Sequence, residues 1–216
     1  MMSAPLPPLL GSPLPLFPLQ MVLFPDALLG LRVFEARYLD LMSECLRTHQ
    51  PFGVVCLKTG SEAGIAAPGQ AQPVQMETVG VLAVLDEVDA DEPGILQVRC
   101  HGGARFRMRG APAQRSNGLW VADVEALPPD TVRLPGQAML QTVQALAEAI
   151  KKLQAGDQMP FAPPYRLDEA GWVANRWCEL LPISLSAKQK LMELDDPVIR
   201  LSLVDGFLRD KKAVIG

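Results

Sequence analysis

The spacing of apolar residues along this chain changes from strand-like to helical twice, and each change marks a boundary. From 16 to 33 apolar residues come in short runs broken by Phe17-Pro18 and Phe24-Pro25, the pattern of two short strands joined by a turn. At Phe34-Glu35-Ala36-Arg37-Tyr38 the period moves from two to about 3.6. Tyr38, Leu39, Met42, Cys45 and Leu46 then share one helical face, with Arg37, Asp40, Ser43, Glu44 and Arg47 on the other. Gln50-Pro51 ends this helix near His49.

Residues 52–57 form a compact apolar strand, and the small, Gly- and Pro-containing stretch 58–73 reads as a mobile loop leading to a short strand at 74–77. Residues 79–88 are nearly all apolar up to Asp86, which predicts a central strand covered on both faces. The acidic residues Asp86, Glu87, Asp89, Asp91 and Glu92 follow and read as a solvated hairpin tip turning at Pro93-Gly94; their spacing does not fit a calcium loop. Alternation runs through 95–100, breaks at Gly102-Gly103 where a bulge is expected, and resumes in 105–109 and 120–125. These elements predict a twisted antiparallel sheet, closed into a barrel, with one inserted helix.

The second change falls at Leu127-Pro128-Pro129. Met139, Leu140, Val143, Leu146, Ala147, Ile150 and Leu153 form a helical stripe, and a linker occupies 154–164. Further helices are expected from Asp168 to Leu181, from a capping box at Ser186 and Gln189, and from Asp196-Pro197 to about Asp210. The fold class is therefore α+β: a flexible proline-rich start at 1–13, a barrel subdomain at 14–130 and a small helical bundle at 131–216.

Composition narrows the function. The net charge is −4 over 216 residues, with −5 on 16–130 and +1 on 131–216, so neither half is a basic module. Cys45, Cys56, Cys100 and Cys178 have no metal-ligand spacing and read as buried free thiols of a cytoplasmic protein. The charge-free start lacks a basic n-region, and its prolines exclude a spanning helix. There is no phosphate-binding loop, nucleophile elbow, zinc-protease or dinucleotide motif. Ser184 and Ser186 lie near Lys188 and Lys190, but Ser186 is better read as a helix cap and the lysines as a solvated face than as a Ser-Lys dyad. No catalytic residue, metal or cofactor is expected.

Two groups of residues remain as candidate sites. The apolar excess around Phe24, Leu28 and Leu29, continued by Phe34, Glu35, Arg37 and Tyr38, suits a groove for polypeptide. Arg99, Arg105, Arg107 and Arg109, with Arg115, could form a stripe for RNA phosphates, although no aromatic residues alternate with them.

Three segments in order resemble the opening of the Lon protease N-terminal domain family: Leu14 to Leu19, Leu23-Phe24-Pro25, and Phe34-Glu35-Ala36-Arg37-Tyr38. Phe52-Gly53-Val54-Val55, Val79-Gly80, Gly102 to Phe106, Leu180-Leu181-Pro182, Lys188 to Glu193, and Asp196-Pro197 with Arg200-Leu201 extend the resemblance over about residues 14 to 208. Ala36 stands where the family has proline, and Val81 where it has threonine. The resemblance implies a PUA-like β-barrel followed by a helical bundle. It implies contact with substrate polypeptide and a role in hexamer assembly, with the ATPase and protease on other domains. The expectation is a stand-alone, non-enzymatic module that binds unfolded or extended polypeptide, or a protein partner, with RNA binding as the alternative and no membrane association.

Overall fold

Nine strands and five α-helices are seen in the computed structural model, which describes residues 13–59, 74–156 and 161–215. The chain forms two compact units, the first ending at Pro128 and the second running from Pro129. Most of the proline-rich start, most of the expected loop at 58–73 and the middle of the 154–164 linker lie outside the described residues, and the first two residues of that loop, Lys58 and Thr59, end β3.

The first unit contains β1 (Leu14–Leu19), β2 (Leu28–Val33), α1 (Ala36–Thr48), β3 (Phe52–Thr59), β4 (Gln75–Met76), β5 (Val79–Glu92), β6 (Ile95–Met108), β7 (Ala113–Gln114), β8 (Trp120–Ala122) and β9 (Val124–Ala126). The sheet order is β2-β6-β5-β3-β1-β8-β7, with β4 on β3 and β9 on β6. β8 and β9 are two pieces of one strand broken at Asp123, the first paired with β1 and the second with β6. The ladder β6-β5-β3-β1-β8/β9 therefore returns to β6, and the barrel is closed. Its interior holds Leu16, Val55, Leu82, Phe106 and Met108, each contributing about 1.5–3 kcal/mol by burial.

One pair departs from the antiparallel expectation. β1 and β3 run parallel, Leu16 opposite Gly53 through Leu19 opposite Cys56. The intervening β2 and α1 supply the long crossover that a parallel pair requires. Close backbone approach explains two glycines. A Cβ on Gly80 would stand 2.4 Å from the Val54 carbonyl oxygen, and one on Gly102 would stand 2.1 Å from that of Phe24.

β5 and β6 are longer than the barrel needs. Their outer halves, Leu85 to Glu92 and Ile95 to Cys100, continue as a two-stranded arm, and β2 pairs along it from Leu28–His101 to Val33–Leu96. The acidic residues lie along this arm instead of forming its tip, and the turn itself is Pro93-Gly94, with Gly94 at φ 77°. Opposite the Gly102-Gly103 pair the β5–β6 register slips between Val81 and Ala83, as the interrupted alternation foretold.

Helix α1 ends where His49 adopts a left-handed φ of 56° and its N–H bonds the Cys45 carbonyl. Its buried face is centred on Leu41, Met42 and Cys45, while Leu46 is exposed, so the face is rotated from the expected stripe. The second unit contains α2 (Leu140–Ala155), α3 (Ala170–Leu180), α4 (Leu185–Glu193) and α5 (Pro197–Ile215). Their core includes Leu146, Ile150, Phe161, Trp172, Val173 and Leu201. Asp196 caps α5 as expected, its Oδ1 accepting from Val198 N–H at 2.8 Å. The cap of α4 is Ser184, whose Oγ accepts from Ala187 N–H at 3.2 Å. Ser186 sits inside that helix, and Gln189 bonds Glu193 instead of closing a capping box.

At the centre of the second unit Arg200 is 1% exposed. Its guanidinium donates to both oxygens of Asp130 (2.5 and 3.0 Å), to Asn175 Oδ1 (2.9 Å) and to the carbonyls of Leu191 and Leu194. One side chain of α5 thereby ties the segment entering the unit to α3 and to the C-terminal end of α4.

Candidate functional site

The turn before β2 decides which apolar residues of this region face solvent. Asp26 takes a left-handed φ of 62° and donates its N–H to the Gly102 carbonyl at 2.7 Å, and Gly102 N–H bonds the Ala27 carbonyl at 2.8 Å. Pinned in this way, Phe24 is wholly buried and Leu29 is 5% exposed. Neither lines a groove, contrary to the expectation of an accessible apolar surface there.

From Leu28 onward β2 alternates. Leu29 and Val33 point into the core, and Leu31 is half-buried on the same side. Leu28, Gly30, Arg32 and Phe34 share the opposite face. Leu28 is 42% and Phe34 64% exposed. β2 ends the sheet order, so its outer edge carries no strand among the described residues. On this face lies a shallow concavity of about 450 Å³, lined by Gly30, Arg32, Glu87, Asp89, Gln97 and Arg99. Arg32 pairs with Glu92 at 2.5 Å, and Arg99 pairs with Glu87 at 2.7 Å.

The other sequence candidates have structural work. Glu35 is the N-cap residue of α1, and its carboxylate pairs with Arg37 at 2.7 Å. Arg37 also donates to the Gly118 carbonyl at 3.0 Å, with its guanidinium carbon 4.7 Å from the Tyr38 ring centre. Tyr38 is 3% exposed and stacks on Phe17 at 4.0 Å. These contacts fix the start of the helix and keep Tyr38 and most of Arg37 out of solvent.

The arginine stripe is broken. Arg105 is 4% exposed and donates to the Pro128 carbonyl at 3.2 Å. Arg107 and Arg109 both face Glu125, at 3.9 and 3.5 Å, and Arg99 faces Glu87. Three of the four arginines thus meet carboxylates on the neighbouring strands, Arg107 and Arg109 sharing one, so the spacing that suggested a phosphate track gives a partly neutralised sheet face.

Gly30 and Arg32 were not among the sequence candidates, yet they complete the exposed face of β2. Period-two alternation starting at Leu28 would have found them. In the second unit an open apolar depression lined by Leu134, Pro135, Leu140, Val143, Leu167 and Asp168 was also missed. Its signal was the exposed apolar pair Val132 and Leu134 between prolines, in a stretch that no period covers.

All four cysteines are buried free thiols. Burial pushes Cys45 up to about 11 and both Cys100 and Cys178 up to about 12, so they are inert as nucleophiles near neutral pH. Among the described residues no group of three or more His, Cys, Asp or Glu could hold a metal ion. Nor is any helix there long and apolar enough to cross a membrane.

A closed barrel bearing an arm that ends at β2, followed by a four-helix unit, defines a two-unit α+β protein. Comparison with known proteins gives the family. The model of the substrate-binding domain of ATP-dependent protease La (Lon) matches residues 13–210, and the chain belongs to that family. It is similar to the crystal structure of a Lon N-terminal domain protein from Xanthomonas campestris, at 32% identity and a TM-score of 0.70, covering 90% of this chain and 98% of that one. The N-terminal domain of a Mycobacterium avium complex Lon protease shares the fold at 14% identity and a TM-score of 0.61, covering 92% and 99%. A highly reducing polyketide synthase, resH, of Aspergillus sclerotiorum is 32% identical over 40% of this chain, but the match spans only 4% of that longer protein.

Proposed function

We propose that this chain is a non-catalytic module that binds extended or unfolded polypeptide along the outer edge of β2. The observation that carries the reading is the placement of Leu28 and, just past the strand's end, Phe34, two exposed apolar side chains on one face of a strand whose outer edge carries no strand among the described residues. An incoming segment would add to the sheet through main-chain hydrogen bonds and bury its own apolar side chains against those two. Membership of a substrate-binding family supports a polypeptide ligand, and the inert thiols and absent motifs support a role without chemistry of its own. The four reduced, buried cysteines suit the cytoplasm.

The test is fluorescence anisotropy with a labelled unfolded polypeptide and, separately, a labelled single-stranded RNA, each at low and physiological salt. Polypeptide binding that changes little with salt and weakens in Phe34→Glu is expected. Unchanged affinity in Phe34→Glu and Leu28→Glu together would remove β2 from the site. Steeply salt-dependent RNA binding lost in Arg107→Ala and Arg109→Ala would favour the PUA-like RNA reading instead.

A further inference from the structure

The outer face of β2 is chemically self-complementary, and we infer that two copies of this chain pair antiparallel through their β2 edges about a dyad at Leu31. The phase of the main-chain bonding comes first. Gly102 N–H donates to the Ala27 carbonyl, and the register continues unbroken from Leu28–His101 to Val33–Leu96. Carried along an antiparallel ladder, this turns the peptide groups of Leu29, Leu31 and Val33 toward β6. Those of Leu28, Gly30 and Arg32 are left facing outward.

Only registers that place outward-facing residues opposite each other can bond, which leaves a short series of two-fold arrangements. Centring on Arg32 would set Arg32 against its own copy, a like-charge contact that destabilises a strand pair. Centring on Gly30 would put two glycines face to face and oppose Leu28 to Arg32. Centring on Leu31 sets the exposed Leu28 opposite the exposed Phe34 of the second copy, twice over, and Gly30 opposite Arg32.

Gly30 is the detail that decides in favour of this last register. A Cβ there would meet nothing within 4 Å, and its φ is not in the left-handed region, so the monomer's own packing does not call for glycine. A glycine inside a strand commonly marks the close approach of something else. In the Leu31-centred pair the Arg32 side chain of the second copy lies across this vacant space, toward the arm that carries Glu87, Asp89 and Glu92. The half-buried Leu31 side chains meet at the dyad and become covered. The two Gly30–Arg32 pairs would exchange about four main-chain hydrogen bonds. So short an interface falls below the roughly 1,000 Å² of a permanent dimer, and the association is weak and concentration-dependent. It uses the edge proposed for polypeptide, so a second copy and a polypeptide would exclude one another.

A cysteine cross-link tests the register directly. At the dyad Leu31 faces Leu31 in a non-hydrogen-bonded pair, with Cα atoms about 4.5 Å apart, within disulfide reach. Under mild oxidation Leu31→Cys should form a covalent dimer efficiently, while Leu29→Cys and Arg32→Cys should not. The native thiols are buried and do not compete. In sedimentation velocity the unmodified chain should pass from monomer toward dimer between about 1 and 500 µM. Gly30→Val, which fills the vacant space without touching the core, should raise the dimer dissociation constant at least about tenfold. A monomer throughout that range, or cross-linking no better at residue 31 than at 29 or 32, overturns the pairing. A dimer indifferent to Gly30→Val does so as well. Polypeptide binding by an obligate monomer would sink this inference and leave the proposed function standing.

Discussion

The same substitution, made ten residues apart, should have opposite consequences. Phe24 is wholly buried behind the Asp26–Gly102 turn. Removing its ring alone costs about 3–5 kcal/mol, and a glutamate there adds the desolvation of a carboxylate, several kcal/mol more. Against a typical total stability of about 5–15 kcal/mol, Phe24→Glu should leave the first unit unfolded or barely folded. Phe34 is 64% exposed, so Phe34→Glu should shift stability by less than about 0.5 kcal/mol.

Binding reverses the order of harm. A phenylalanine side chain offers roughly 200 Å², of which 64% exposure leaves about 130 Å² open to solvent. Covering half of that with a bound segment, at about 25 cal/mol per Å², is worth about 1.6 kcal/mol, or about fifteenfold in Kd. Urea denaturation followed by circular dichroism reads the first effect, and anisotropy with a labelled unfolded polypeptide reads the second. A Phe24→Glu protein with a wild-type midpoint would refute the assignment of Phe24 to the core. A Phe34→Glu protein that binds as tightly as wild type would refute the site.

Three further outcomes follow from the geometry. Gly102→Ala should destabilise by more than about 2 kcal/mol, because its methyl would meet the Phe24 carbonyl, whereas Gly30→Ala should be neutral or stabilise by about 0.5 kcal/mol in urea melts. Arg200→Ala should cost about 3–5 kcal/mol by removing its bonds to Asp130, Asn175 and two carbonyls, read from the fluorescence of Trp172 and Trp177; a loss below about 1 kcal/mol would contradict the role given to Arg200. Burial raises the Cys45, Cys100 and Cys178 thiols above the ordinary value of about 8.5. Their stabilising contribution is complete below that pH and is lost as pH rises toward the folded values, so the urea midpoint should fall between about pH 7.5 and pH 10. The fall should be smaller in Cys178→Ala, and equal slopes would count against buried thiols as its cause.

What could be read from the sequence was whatever a local pattern determines. The period change at Phe34 placed α1, the glycine pair placed the slip in β6, and Asp196-Pro197 placed the start of α5. What could not be read depended on partners distant in sequence. Nothing in residues 14–19 announces that β1 runs parallel to β3, because pairing direction is set by the crossover and not by the strand itself. Ser184 and Ser186 are equivalent by composition; the choice between them is made by where the chain leaves Pro182. Arg105 alternates outward like Arg107, yet it is covered because its strand pairs with β9 and the chain then returns to place the Pro128 carbonyl at its guanidinium.

The candidate site shows the same division inside five residues. Phe-Glu-Ala-Arg-Tyr reads as one motif, and one motif invites one function. In the folded chain Glu35 holds Arg37, Arg37 holds the Gly118 carbonyl, and Tyr38 stacks on Phe17. Each of these three has its partner within the first unit. Phe34 takes part in none of these contacts: it lies outside the core, on the wet face of β2, level with Leu28 and Arg32. It is the large side chain of the motif left in water, just past the end of a strand whose outer edge carries no strand among the described residues. The motif therefore marks the architecture, and the exposed ring within it is where the proposed polypeptide would be held.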